Sequence, residues 1–263
     1  MHISVPVDSN ALVSCPNRDR AKDLIIRSYC RQDRTESVGS GYIASMLFEL
    51  DRVALKRGGK PVLTDLSARF PEGVSAVLGP SGSGKSTLLR LLNRLSDPDR
   101  GNVRFRGTDV RELDPLELRR TVAMVPQLPA LIDDTVSGNI RFAAGLAGRE
   151  PDISELLGLA GLDRSFGDRG VDQLSVGKQQ RAMISRALAT EPEALLLDEP
   201  TSALDEAARD SIERTVADLA GRLGTAIVIV THDPEQAARL ADWIVRIDRG
   251  RIVQEGPAAE VPA

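Results

Sequence analysis

Gly79-Pro80-Ser81-Gly82-Ser83-Gly84-Lys85-Ser86-Thr87 gathers glycines, one lysine and several hydroxyls into a single short run. That spacing suits the holding of phosphate. Glycines let a loop turn tightly enough for successive backbone N–H groups to face one anion. Val74-Ser75-Ala76-Val77-Leu78 ahead of it reads as a buried strand, and Leu88, Leu91, Leu92 and Leu95 behind it recur at helical spacing as far as Pro98. The predicted helix would point its positive end at the phosphates, Lys85 would reach the β- and γ-phosphates, and Ser86 could ligate Mg²⁺. The plainer alternative is a glycine-rich turn that merely holds a lysine; it would need no strand before it and no helix after it. A second run, Leu195-Leu196-Leu197-Asp198-Glu199-Pro200, is an apolar strand ending in two acids. Beside a phosphate loop, Asp198 suits the metal and Glu199 suits a water facing the γ-phosphate. Alone, the same run reads as a strand closing in a solvated acidic turn.

The elements that must position these residues are legible in the hydrophobic pattern. Phe48, Leu50 and Val53 predict a first strand, and Leu66, Ala68 and Phe70 alternate with polar residues as a second. Val103 and Phe105 alternate with arginines as a third, after the turn Asp97 to Gly101. These half-buried strands read as antiparallel. Ala194-Leu195-Leu196-Leu197 and Ala226-Ile227-Val228-Ile229-Val230 are continuous apolar runs, the pattern of central parallel strands. Between Leu128 and about Arg181 the pattern turns helical, with Ile153, Leu156, Leu157 and Ala160 on one face. Trp243–Ile247 and Arg251–Val253 flank Asp248-Arg249-Gly250, a hairpin signal. The expectation is an α/β fold over residues 46–263. Residues 1–45 carry no sustained periodicity and read as a disordered extension; Met46 is an alternative start.

Bulk composition narrows the function classes. The chain has 263 residues, 41% of them hydrophobic and 27% charged, an ordinary globular balance. No run approaches the roughly 18 apolar residues of a membrane span. The start lacks the basic-then-apolar order of a secretion signal. A net charge of −4 with 3% aromatics offers neither a basic stripe nor stacking rings for nucleic acid. Cys15 and Cys30 show no metal-site spacing and read as free thiols.

Taken together, these runs resemble the ATP-binding subunits of ABC transporters over about residues 47–256. Val125-Pro126-Gln127 looks like the Q-loop, Leu174-Ser175-Val176-Gly177-Lys178-Gln179-Gln180-Arg181 is similar to the signature, Ser202-Ala203-Leu204-Asp205 matches the D-loop, and Thr231-His232-Asp233 the switch histidine. The resemblance implies a P-loop NTPase with a mostly parallel central sheet, an antiparallel β subdomain and a helical signature subdomain over about 127–181. It implies ATP and Mg²⁺, with Glu199, His232, Lys85 and Gln127 catalytic, and Ser86, Gln127 and Asp198 around the metal. It further implies a dimer, with a second copy or a similar ATPase, in which Ser175, Val176, Gly177 and Lys178 act on the partner's ATP beside Ser202 and Asp205. A membrane-spanning permease would tether the chain to the cytoplasmic side of the plasma membrane. The stretch Leu128–Val136 is similar to phosphate-import ATPases and to small ATPases of metal exporters, so phosphate or a metal ion is the implied cargo. Its apolar part, with Pro129, is expected to be a loop receiving a permease helix through Leu131 and Ile132.

Physical reading of the signature agrees in part. Ser175 is a good N-cap residue, and the helix start offers N–H groups at Val176 and Gly177 to an anion. Val176 stands where the family has glycine, and Lys178 where it has glutamine; a lysine in the first turn opposes the helix dipole but adds positive charge near a phosphate. Arg57 stands where the family stacks an aromatic on adenine, and a guanidinium can also lie flat on a purine. A soluble ABC-type ATPase uncoupled from transport is the alternative reading. Its translation types carry two ATPase domains and its repair types a long coiled coil, neither visible in this sequence. Lys85→Ala is expected to weaken ATP binding at least tenfold, since a charge-assisted contact contributes about 1.5–3 kcal/mol. A change below twofold by titration would rule out the phosphate-loop assignment.

Overall fold

The computed structural model describes residues 46–202 and 204–261. The expected extension over 1–45 with Cys15 and Cys30, and Ala203 of the D-loop, lie outside the described residues. In chain order the strands are β1 (Met46–Arg57), β2 (Lys60–Pro71), β3 (Val74–Leu78), β4 (Arg100–Phe105), β5 (Thr108–Asp109), β6 (Val122–Val125), β7 (Ala194–Asp198), β8 (Ala226–Thr231), β9 (Trp243–Asp248) and β10 (Arg251–Pro257). The helices are α1 (Lys85–Leu92), α2 (Pro115–Thr121), α3 (Val136–Leu146), α4 (Ile153–Leu159), α5 (Val176–Leu188), α6 (Glu206–Leu223) and α7 (Pro234–Leu240). Two single turns, Arg164–Phe166 and Val171–Gln173, lie between α4 and α5.

Two sheets result, as the hydrophobic patterns require. One is antiparallel, in the order β2-β1-β4-β5; the other runs β10-β9-β3-β8-β7-β6, with β9, β3, β8, β7 and β6 parallel and only β10 reversed. Strands β3, β7 and β8 are buried at every position, which is why their sequences are apolar runs and not alternations. Their period of two still sorts side chains to opposite faces. Val77, Leu196 and Val228 join α1 and the antiparallel sheet in one cluster; Leu78, Leu197 and Ile229 pack on α5 and α6 in another. A third cluster, with Val136, Ile140, Leu157 and Ala182, holds α3, α4 and α5 together. Aspartate or threonine caps most helix starts: Asp114, Thr135, Asp152, Asp205 and Asp233 each accept a backbone N–H of the first turn. No helix among the described residues is long and apolar enough to cross a membrane.

Two expectations need correction, and two elements go beyond the sequence reading. Leu95 is not on the helix after the phosphate loop: α1 ends at Leu92, Arg94 turns left-handed at φ 54°, and Leu95 is half exposed. The short strand β6 and the helix α2 before it have no counterpart in the hydrophobic pattern, because four residues leading into Pro126 carry too little of it. Leu131 lies in the expected loop but is partly buried against two core clusters, leaving Leu128 and Ile132 as its exposed apolar residues.

The hairpin between β9 and β10 clamps the phosphate loop in place. Gly250 donates its N–H to the Ser83 carbonyl (2.9 Å) and accepts from Thr64 N–H (2.9 Å), joining loop, hairpin and β2. It has φ +73°, and a Cβ there would collide with the Val62 carbonyl oxygen. Gly224, also left-handed at φ +64°, faces open space at the end of α6. Gly224→Ala should therefore cost about 1–2 kcal/mol, the strain of the left-handed backbone alone, and Gly250→Ala clearly more. Urea unfolding of the two variants distinguishes them, and equal losses would refute the clamp.

Candidate active site

Strands β3, β7 and β8 deliver three functional segments to one end of the sheet. The phosphate loop leaves β3 after Leu78. Gly82 and Gly84 take φ +77° and +108°, turning the loop's backbone inward. Gly84 occupies the N-cap of α1 without any side-chain cap, and the first turn of that helix carries no acid. Ser83 is 3% exposed with no partner for its hydroxyl. Backbone N–H groups, an unpartnered hydroxyl and a positive helix end thus gather at a loop that holds no acid of its own, an arrangement that suits an anion. Lys85, 5% exposed, arches back over the loop to donate to the carbonyls of Gly79 (2.8 Å) and Pro80 (3.1 Å).

Acidic groups arrive from β7. Ser86 Oγ donates to Asp198 Oδ1 at 2.8 Å, so the two hard oxygens share one locus. Glu199 follows with a left-handed backbone at φ 46°, its N–H donated to the Val230 carbonyl of β8. That turn aims Glu199 at the loop, where Oε1 lies 3.5 Å from Lys85 Nζ. Its other oxygen receives Gln127 Nε2 at 3.4 Å and faces His232 Nδ1 at 3.3 Å. Gln127 Nε2 also lies 3.2 Å from Ser202 Oγ, and that hydroxyl donates to the Glu199 carbonyl. Lys85, Ser86, Gln127, Asp198, Glu199, Ser202 and His232 are therefore linked in one continuous cluster. His232 and Gln127 sit at its exposed edge, and Lys85 at its buried floor.

The remaining residues singled out by sequence stand elsewhere. Arg57 ends β1 exposed, its Nη2 3.5 Å from Ser96 Oγ. Asp205 spends its carboxylate capping α6. Ser175 occupies the N-cap position of α5 but its side chain makes no capping bond, so the hydroxyl remains available. Val176 is 47% exposed, and a Cβ on Gly177 would meet Leu204 and Ala208 at ordinary contact distance. The ammonium of Lys178 lies 4.6 Å from the centroid of Phe166, whose ring also carries the Arg169 guanidinium at 4.3 Å. The ring's quadrupole thus offsets the unfavourable placement of a lysine in the first helical turn. Phe166 had no sequence signal, since only the turn before α5 brings it near Lys178.

Comparison with known proteins identifies the family. Residues 63–202 match the family described as "ABC transporter". The chain belongs to that family. It is 42% identical over 207 residues to the rice protein STAR1 (Oryza sativa subsp. japonica), covering 77% of this chain and 60% of that one. It is 40% identical over 222 residues to a Pseudomonas fluorescens "Fe(3+) ions import ATP-binding protein", covering 81% and 62%. It is 36% identical over 239 residues to a Saccharolobus solfataricus "Phosphate import ATP-binding protein", covering 84% and 92%. Among solved structures, the dimeric post-hydrolysis state of the ATP-binding cassette MJ0796 bound to ADP and Pi superposes with a TM-score of 0.72 at 30% identity, covering 80% of this chain and 98% of that one. The fold is that of an ABC ATPase cassette, an α/β P-loop NTPase.

Burial also sets the protonation of this ATPase site. Removal from water pushes the Asp198 carboxyl above its ordinary range, and the adjacent Glu199 charge adds to this; the Ser86 hydrogen bond and the Arg90 and Lys85 charges oppose it. A carboxyl raised in the folded state carries no penalty well below 3.8, where both states are protonated. The penalty grows as pH rises from there through the folded value, then stays constant. Asp198→Asn is thus expected to raise the melting temperature of the protein without nucleotide or metal at pH 7, with a gain that vanishes well below pH 3.8. A lower melting temperature at pH 7 would contradict this electrostatic reading.

Proposed function

We propose that residues 46–263 form one transport-coupled ATPase unit, with the helical region at about 127–181 as its signature subdomain, and that the unit hydrolyses ATP by water attack on the γ-phosphate. The observation that carries the reading is the convergence of two contact sets at one end of the sheet: Glu199 meets Lys85, Gln127 and His232, and the preceding residue, Asp198, accepts from Ser86. Gly79–Thr87 hold the phosphates, with Lys85 exchanging its carbonyl partners for the more strongly charged β- and γ-oxygens. Glu199 accepts the proton of the attacking water, and Gln127, whose amide reaches the same carboxylate, helps to orient that water. Lys85 and His232 stabilise the charge that builds on the γ-phosphate. Ser86 and Asp198, with Gln127, would hold Mg²⁺: a hydroxyl and a carboxylate are hard oxygen donors of the kind that ion takes. When bound, Mg²⁺ neutralises negative charge on the nucleotide's phosphates. Arg57, at the end of β1, is assigned to the purine face.

Dimerisation completes the site in this reading. Ser175 offers an uncommitted hydroxyl at the start of α5, Val176 and Gly177 offer N–H groups, and Lys178 adds charge; these would close on the γ-phosphate held by a second copy or a similar ATPase, with Ser202 and Asp205 alongside. Closure and reopening would move a membrane-spanning permease, which would hold the chain at the cytoplasmic face of the membrane. Leu128 and Ile132, exposed on the loop after Gln127, suit that contact. The names of the relatives support phosphate or a metal ion as cargo, and co-purification of the permease from membranes identifies which.

Glu199→Gln is the decisive variant. It should bind ATP normally, lose about 10²–10⁴ in turnover, and run as a dimer in ATP and Mg²⁺ but as a monomer in ADP. Adding Ser175→Arg should abolish the dimer while leaving ATP binding intact. Full ATPase activity in Glu199→Gln would exclude Glu199 as the base.

A further inference from the structure

A buried polar chain lies beside the catalytic cluster. Gln236 of α7, 1% exposed, donates from Nε2 to Thr201 Oγ1 at 2.9 Å and to Glu213 Oε1 at 3.0 Å. Arg239, almost one turn further on, donates to both oxygens of Glu213 at 3.0 and 3.1 Å. Thr201 and Glu213 are themselves buried. An ionised carboxylate only accepts, so the amide must turn its NH₂ toward Glu213. Its own carbonyl oxygen is then left buried without a donor. For stability alone this is a poor solution, because apolar side chains of similar size would avoid both the buried charge and the orphan oxygen.

The position of the chain explains its chemistry. Thr201 lies two residues after Glu199, whose backbone is held left-handed. Gln236 lies in the first turn of α7, and its N–H is one of those capped by Asp233. Asp233 N–H donates to Thr231 Oγ1, which brackets His232 between two anchored neighbours. His232 Nδ1 and Glu199 Oε2 stand 3.3 Å apart. From Glu199 through Thr201, Gln236 and Asp233 to His232 and back to Glu199, covalent and hydrogen-bonded links close a ring. Glu213 and Arg239 fix the orientation of the one amide that closes it.

We propose that Gln236 and Thr201 are positioning residues, tying the turn that carries Glu199 to the helix that follows His232 so that base and histidine keep one separation. The proposal rests on the roles given above to Glu199 and His232. If the same bonds only fastened α7 to α6, their loss would lower stability and leave turnover in the folded protein unchanged. A positioning role predicts a loss in kcat with substrate binding preserved, since misplacement of reacting groups by about 1 Å reaches 10²-fold in rate.

The test uses the full-length chain with ATP and Mg²⁺, well below the melting temperature of each variant. Thr201→Val and Gln236→Leu should each lower kcat by about tenfold or more while KM stays within about twofold. The double variant should be no slower than the slower single one, because either change opens the same ring. A kcat within twofold of the parent in both single variants, or losses that multiply in the double variant, would overturn the proposal. If Gln236→Leu does not fold, Thr201→Val, nearly isosteric, decides by its kcat alone. Glu199→Gln measured in parallel separates the two levels: if it stays active, the assignment of the base fails and takes the ring with it. If it is inactive while Thr201→Val and Gln236→Leu turn over normally, only the ring is lost.

Discussion

Parallel register between β3, β8 and β7 is the constraint on which the site depends. Leu78 pairs with Thr231 and Asp198 with Val230, so the three strands stop at nearly the same level. The phosphate loop, the acids and the histidine all leave the sheet there, although they are far apart in sequence. A slip of one residue in β7 would exchange its two faces. Leu195 and Leu197 would leave the α5–α6 side for the other face, and Asp198 would lose Ser86. The apolar cores on the two faces therefore set the chemistry, because each punishes the slip that would dismantle it. That is the physical sense in which this fold positions its site.

Charge is managed by mutual neutralisation within the cluster. Lys85 is a buried cation and Asp198 a buried acid, and each would be costly alone. Lys85 meets three oxygens from Gly79, Pro80 and Glu199, and Asp198 meets the Ser86 hydroxyl. None of these partners is as good as a polyphosphate with its counter-ion would be. Lys85 is thus offset by the Glu199 charge, while Asp198 has a neutral hydroxyl as its partner. The left-handed backbone at Glu199 belongs to the same economy of placement: a sharp turn after β7 brings its carboxylate over the loop, where an extended residue would carry it away.

How much of this could be read from the chain alone follows from the range of each interaction. The apolar runs of β3, β7 and β8 and the hairpin at Asp248–Gly250 are local patterns, and each stands where it was expected. Leu95 misled because periodicity does not register the left-handed turn at Arg94 that ends the helix. Leu131 misled because its partners lie in two clusters formed from distant segments. The carboxylate and hydroxyl partners of Gln236 belong to α6 and to the turn after β7, so no spacing in the sequence could announce them. Lys178 was legible as an oddity at a helix start, but its explanation, the Phe166 ring, required the fold.

The contacts of α5 extend the argument from one site to two. Gln180 reaches the Pro126 carbonyl at 3.5 Å, Met183 sulfur meets Ala130 N–H, and Arg186 donates to the Ala130 carbonyl at 2.6 Å. All three fall on the segment around Gln127, whose amide touches Glu199. The helix that begins at Ser175 is therefore fastened to the loop that contacts the proposed base in the same chain. Arg186, whose pKa burial pushes down, takes a neutral carbonyl of that loop as its partner. A shift of α5 would therefore pull on Ala130, and through it on Gln127. The same three contacts would carry a displacement of the exposed Leu128–Ile132 loop in the opposite direction, toward Ser175. A ligand held by the loop and one held at the start of α5 would then be coupled reciprocally.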